Sequence, residues 1–217
     1  MNHETLIATG NISRYTHFTA HSVSPDSIGL SYDTMPGNAP ADYGNFVAIW
    51  QNQNQIPWNL EPLHTKQILS DSQAGSISFD GLNVTDNSYI IGYGVGPEIG
   101  NICSTVFIPA GKFDPTKAQL FQTSVSTVYV GTTSLTFKFQ TPTGYTPKTN
   151  ENWAGIWRGA TVPYIGDPIK KVDITLDSPE GTQGFNAIYL LRGTTYSIGY
   201  FMGPKQLALA ASVTFTV

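Results

Sequence analysis

A chain of 217 residues can form one large all-β domain or two domains of about 100 residues each. With 40% hydrophobic, 12% aromatic and only 12% charged residues, core material is ample, intrinsic disorder is excluded, and much of the surface must be Ser, Thr, Asn, Gln and Gly. A net charge of −4 and a single cysteine argue against a nucleic-acid partner and an internal disulfide framework, and the lack of about 20 consecutive apolar residues excludes a transmembrane helix.

Residues 1–19 are read as an N-terminal extension. They lack the positive start and apolar run of a secretory signal, so the chain is expected to be cytoplasmic as synthesised, although signal-less export would leave no trace in the sequence. A first β module is expected over 20–109, with apolar runs or alternation at Leu30–Tyr32, Phe46–Trp50, Ser76–Phe79, Tyr89–Tyr93 and Ser104–Phe107. Residues 110–121 form a linker, where Asp114 before Pro115 suits an N-cap and first-turn pair and predicts one helical turn. A second module over 122–217 repeats the period-two pattern in Ser134–Phe139, Trp153–Trp157, Val172–Leu176, Tyr196–Tyr200 and Ala211–Val217. Turn residues bound each run, giving about seven strands per module, the spacing of a β-sandwich.

The two modules are related by an internal duplication. Tyr89-Ile-Ile-Gly-Tyr93-Gly-Val-Gly96-Pro97 aligns without a gap to Tyr196-Ser-Ile-Gly-Tyr200-Phe-Met-Gly203-Pro204, and Phe46–Trp50 falls on Trp153–Trp157 at the same offset of 107. Trp50 and Trp157 are therefore expected at equivalent positions, with Ile49, Ile91, Ile156 and Ile198 in the cores. Both Gly-Pro pairs are read as hairpin turns, and Phe201, Met202 and Leu207 near the second are read as an exposed apolar tip. The order of strands carrying Asn152-Trp-Ala-Gly-Ile-Trp157, Tyr196-Ser-Ile-Gly-Tyr200 and Ser212–Phe215 resembles the SKICH-type immunoglobulin-like domain, in which a Trp-x-Gly-Ile-aromatic strand and a Tyr-x-x-x-Tyr strand are similarly placed. That resemblance implies tandem immunoglobulin-like β-sandwiches and a non-enzymatic targeting or interaction role.

Catalytic chemistry is not legible. No Gly-x-Ser-x-Gly elbow, phosphate-cradling loop or His-Glu-x-x-His motif occurs, so neither a catalytic residue nor a cofactor is expected. Cys103 sits in a strand-like run and is read as a buried structural thiol. The four histidines, His3, His17, His21 and His64, lie in the first half; on a strand His17 and His21 would stand roughly 13 Å apart, too far to share a metal. Asp71, Asp80 and Asp86 lack the acidic ladder of a calcium loop. The loop Gln51-Asn-Gln-Asn-Gln-Ile-Pro-Trp58-Asn59 does stand out. Amides that donate and accept, beside an aromatic face, suit sugar hydroxyls and the apolar side of a sugar ring. Asn52, Gln53, Asn54 and Trp58 are the candidate ligand-binding residues, with Tyr164 in the matching loop as a weaker partner.

Three function classes follow. The first is a lectin-like binder of glycans or protein surfaces, and the third a toxin or effector acting at a cell surface. The second is a homo-oligomer assembled through unlike modules, since residues 1–109 carry 2 basic and 9 acidic side chains (−7) and residues 110–217 carry 9 basic and 6 acidic (+3).

Overall fold

The computed structural model describes residues 9–111 and 118–217. Among them the chain is all-β, with four open antiparallel sheets. The strands contributed by the first half are β1 (Thr9–Tyr15), β2 (His17–Val23), β3 (Ser27–Asp33), β4 (Phe46–Gln51), β5 (His64–Gln67), β6 (Ala74–Asp80), β7 (Tyr89–Gly94) and β8 (Ile102–Ile108). The second half contributes β9 (Gln119–Gln122), β10 (Ser124–Val130), β11 (Ser134–Gln140), β12 (Trp153–Arg158), β13 (Lys170–Asp173), β14 (Glu180–Asn186), β15 (Thr195–Phe201) and β16 (Leu209–Thr216).

The described residues divide into two compact units. The first unit, residues 16–111, 118–122 and 142–144, holds a three-stranded sheet β2-β3-β6 and a five-stranded sheet β5-β4-β7-β8-β9. The second, residues 9–15, 123–141 and 145–217, holds sheets β10-β11-β14 and β1-β16-β15-β12-β13. Each five-stranded sheet is thus completed by a strand from the other half of the sequence: β1 pairs with β16, and β9 with β8. The segments read as extension and linker each contain one of these strands, which raises the expected seven strands to eight per unit. Chain geometry explains the exchange. Only Thr16 separates β1 from β2, and only Thr123 separates β9 from β10; a hairpin needs at least two turn residues, so neither strand can fold back beside its successor. The helical turn expected at Asp114–Pro115 lies outside the described residues.

The order and register of the two units agree at the offset of 107. Ala48 faces Gly92 in one and Gly155 faces Gly199 in the other, and Phe107 faces Gln119 as Thr214 faces Ile12. In each unit a core lies between the sheets. Phe18 and Tyr32 of the three-stranded sheet meet Tyr93 of the five-stranded sheet at ring separations of 5.6 and 5.4 Å, and Phe139 meets Tyr200 at 5.3 Å. Ile49, Ile91, Ile156 and Ile198 are all fully buried.

The central strands are buried on both faces, which strict alternation does not anticipate. In β4, Val47 and Ile49 face the inter-sheet core, while Phe46, Ala48 and Trp50 point to the outer face and cluster with Ile56, Ile90 and Ile102. The loop after β4 forms this second layer, and the Trp50 indole N–H donates to the Leu60 carbonyl at 2.8 Å. Gly92 makes room for it, because a Cβ there would stand 2.8 Å from Ile102. The second unit repeats the arrangement, and this corrects the expected apolar tip. Phe201 stacks on Trp153 at 3.9 Å, Phe201 and Met202 are fully buried, and Leu207 is half-buried. The strand expected at Val172–Leu176 begins at Lys170 and ends at Asp173, leaving Leu176 exposed in the following loop.

Candidate functional site

The loop singled out by its amides caps the outer face of the first unit. Asn52 turns the chain out of β4 with φ of 56°, a left-handed conformation that asparagine tolerates better than most residues. Its backbone N–H donates to the Ser88 carbonyl at 2.7 Å, its Nδ2 donates to Asn87 Oδ1 at 2.9 Å, and its Oδ1 accepts from the Ser88 N–H at 3.3 Å. These bonds commit the Asn52 amide to holding the loop. Gln53 is half-buried. Trp58 is also half-buried and packs on the Ile56–Trp50 cluster, with its indole N–H donating to the Thr143 carbonyl at 3.0 Å. That bond tethers residues 142–144 to this unit. Tyr164 is half-buried and belongs to the second unit.

Beside the loop is a cavity of about 150 Å³ in the first unit. Strand alternation builds its floor. Ile90 of β7, Thr105 and Phe107 of β8, and Phe121 and Gln119 of β9 lie on one face, since Ile90 pairs with Phe107, Phe107 with Gln119, and Thr105 with Phe121. Asn54, Gln55 and Ile56 form one wall, and Pro142 with Thr143 another. Phe107 and Phe121 are half-buried, while Asn54, Gln55 and Gln119 are exposed, and their amides make no hydrogen bond to any described residue. Of the residues expected from the sequence, Asn54 therefore lines the cavity, Trp58 positions its wall, and Asn52 braces the loop. Thr105, Phe107, Gln119 and Phe121 were missed because β9 looked like linker. The recurrence of Thr16 at Thr123, 107 residues later, was the available sign that Gln119–Gln122 matches the strand before β2.

Two wider clefts have different chemistry. One of about 530 Å³ in the first unit runs along β5 past Lys66, whose ammonium donates to the Ser78 carbonyl at 2.6 Å and lies over the Phe79 ring. The other, about 580 Å³ in the second unit, is bordered by Lys148, Glu151, Lys171 and Asp173; Lys171 pairs with Asp173 at 3.3 Å and lies over Trp153. Neither combines uncommitted amides with an accessible aromatic face.

Cys103 is fully buried, and burial pushes its thiol up to about 12. Among the described residues no group of three or more His, Cys, Asp or Glu side chains could hold a metal ion, and no helix is long and apolar enough to cross a membrane. No protein-family model matches the sequence, and no curated protein matches it closely enough to count as a relative.

Proposed function

We propose that this chain is a non-catalytic binding protein, lectin-like in taking carbohydrate at its first unit. The observation that carries the reading is the cavity beside the loop after β4, where three amides with no hydrogen bond to any described residue surround half-buried phenylalanines. Amides supply both donors and acceptors to hydroxyls, and an aromatic face packs against the C–H side of a sugar ring. At about 150 Å³ the cavity is well below the roughly 300–1,000 Å³ of drug-sized sites, which suits one ring at the end of a glycan. Matching registers at the offset of 107 support descent of both units from one duplicated immunoglobulin-like sandwich, the architecture implied by the SKICH-type resemblance.

A printed glycan array tests the function. Wild-type protein is expected to bind a restricted group of glycans, and Asn54→Ala with Gln55→Ala is expected to reduce that binding. Absence of binding across a broad array, or binding unchanged in the double variant, would reject the reading.

Charge favours self-association as a second reading. Among the described residues the first unit carries eight acidic and one basic side chain, the second eight basic and five acidic, or −7 and +3. Unlike surfaces of two copies can therefore attract one another.

A further inference from the structure

We propose that the cavity is the protein's single ring-binding site and that it selects an uncharged sugar ring over acidic sugars. The inference rests on the carbohydrate reading and adds valence and charge selectivity to it.

Valence follows from comparing the two units position by position. At the positions matching Phe107 and Phe121, the second unit has Thr214 and Arg14, as the ladder pairs show: Phe121 faces Thr105, and Arg14 faces Ser212. Ile90 is matched by Ser197. Both aromatic faces are therefore absent from the second unit. Its hydroxyls are also used up internally. Ser197 Oγ donates to the Gly159 carbonyl at 2.7 Å, Thr214 Oγ1 donates to the Ala160 carbonyl at 3.0 Å, and the two hydroxyls stand 3.1 Å apart. These bonds draw the loop after β12 onto the sheet. In the first unit Ile90 and Phe107 have no hydroxyl with which to do so; the loop after β4 is held instead by apolar packing of Ile56 on Ile90 and Ile102, and the cavity lies beside it. One of the aromatic faces, Phe121, lies on β9, a strand supplied by the second half of the sequence. The site thus depends on the strand exchange.

Selectivity follows from charge. Among the described residues no charged side chain lines the cavity, and its unit carries eight acidic side chains against one basic. That one cation, Lys66, is occupied by the Ser78 carbonyl and the Phe79 ring. A carboxylate-bearing sugar would enter a negative field and meet no free counter-charge among the described residues, whereas neutral hydroxyls would meet Asn54, Gln55 and Gln119.

The test is calorimetric titration of the full chain with the methyl glycosides of glucose, galactose, mannose and N-acetylglucosamine, and with those of sialic and glucuronic acid. At least one neutral glycoside should bind at one equivalent per chain, and the acidic ones more weakly than it. Phe121→Ala and Gln119→Ala should each weaken that binding about tenfold or more. The Gln119 side chain is exposed, so its variant keeps the test valid if the Phe121 variant folds poorly; thermal melting of each variant checks this. Two equivalents per chain, preference for an acidic glycoside, or full affinity in Gln119→Ala would overturn this inference while leaving carbohydrate binding standing. Absence of binding to every glycoside, together with a blank glycan array, would overturn both.

Discussion

Replacing Asn152 with alanine removes an amide shared by two buried tyrosines of the second unit. Tyr145 donates its hydroxyl to Asn152 Oδ1 at 2.9 Å, and Asn152 Nδ2 donates to the Tyr200 hydroxyl at 3.1 Å. Asn152 and Tyr200 are fully buried and Tyr145 is 1% exposed, so water cannot readily replace the lost bonds. Depriving a buried polar group of its partner costs about 1–3 kcal/mol, which puts the variant at about 2–4 kcal/mol of lost stability. Alanine retains the backbone bonds from the Asn152 N–H to the Pro147 carbonyl and from the Ile174 N–H to the Asn152 carbonyl, both 2.9 Å. The loss therefore reports on the side chain. Urea unfolding followed by tryptophan fluorescence measures it through the midpoint at constant slope. Adding Tyr200→Phe to Asn152→Ala should recover about 1 kcal/mol, because it deletes the hydroxyl left without its donor. A loss below about 1 kcal/mol, or a double variant less stable than the single one, would refute the assignment of this amide as a buried polar link.

Two further outcomes follow from burial and charge. Native Cys103 should resist thiol reagents at pH 8 and react once urea unfolds the chain; prompt native labelling would show that the strand opens. Its thiol is pushed from the ordinary 9.0 to about 12 by burial, so between those values the unfolded chain gives up a proton that the folded chain keeps. Stability at this site is fully present below pH 9.0 and declines with rising pH by up to about 1.4 kcal/mol per unit, which denaturation of a Cys103→Ser variant against wild type across pH 8–11 would detect. If unlike units of two copies attract, light scattering should show association at low ionic strength that diminishes toward about 1 M salt, where the Debye length is roughly 3 Å. A monomer at low salt and high concentration would exclude that attraction.

The sequence alone settled the elements that rest on local periodicity and repetition. Alternation in Ser134–Phe139 marked β11, and the shared offset matched β4 to β12 and β7 to β15 as corresponding strands, with Ile49 and Ile156 both turned into cores. The amide-rich loop was likewise visible as an unusual composition beside a strand. Tertiary structure decided three things that no local window contains. It paired β1 with β16 and β9 with β8, because a one-residue junction forbids a hairpin and the open sheet edge that accepts each strand lies far along the chain. It buried Phe201 and Met202, since strands covered on both faces lose the alternation by which an exposed tip would be told from a second core layer. It also divided the loop's residues between bracing and lining, leaving Asn52 bonded to Asn87 and Ser88 while Asn54 meets Gln119 and Phe121 around one cavity. Adjacent amides of identical chemistry were separated by backbone direction alone, and that direction is set by the sheet beneath them.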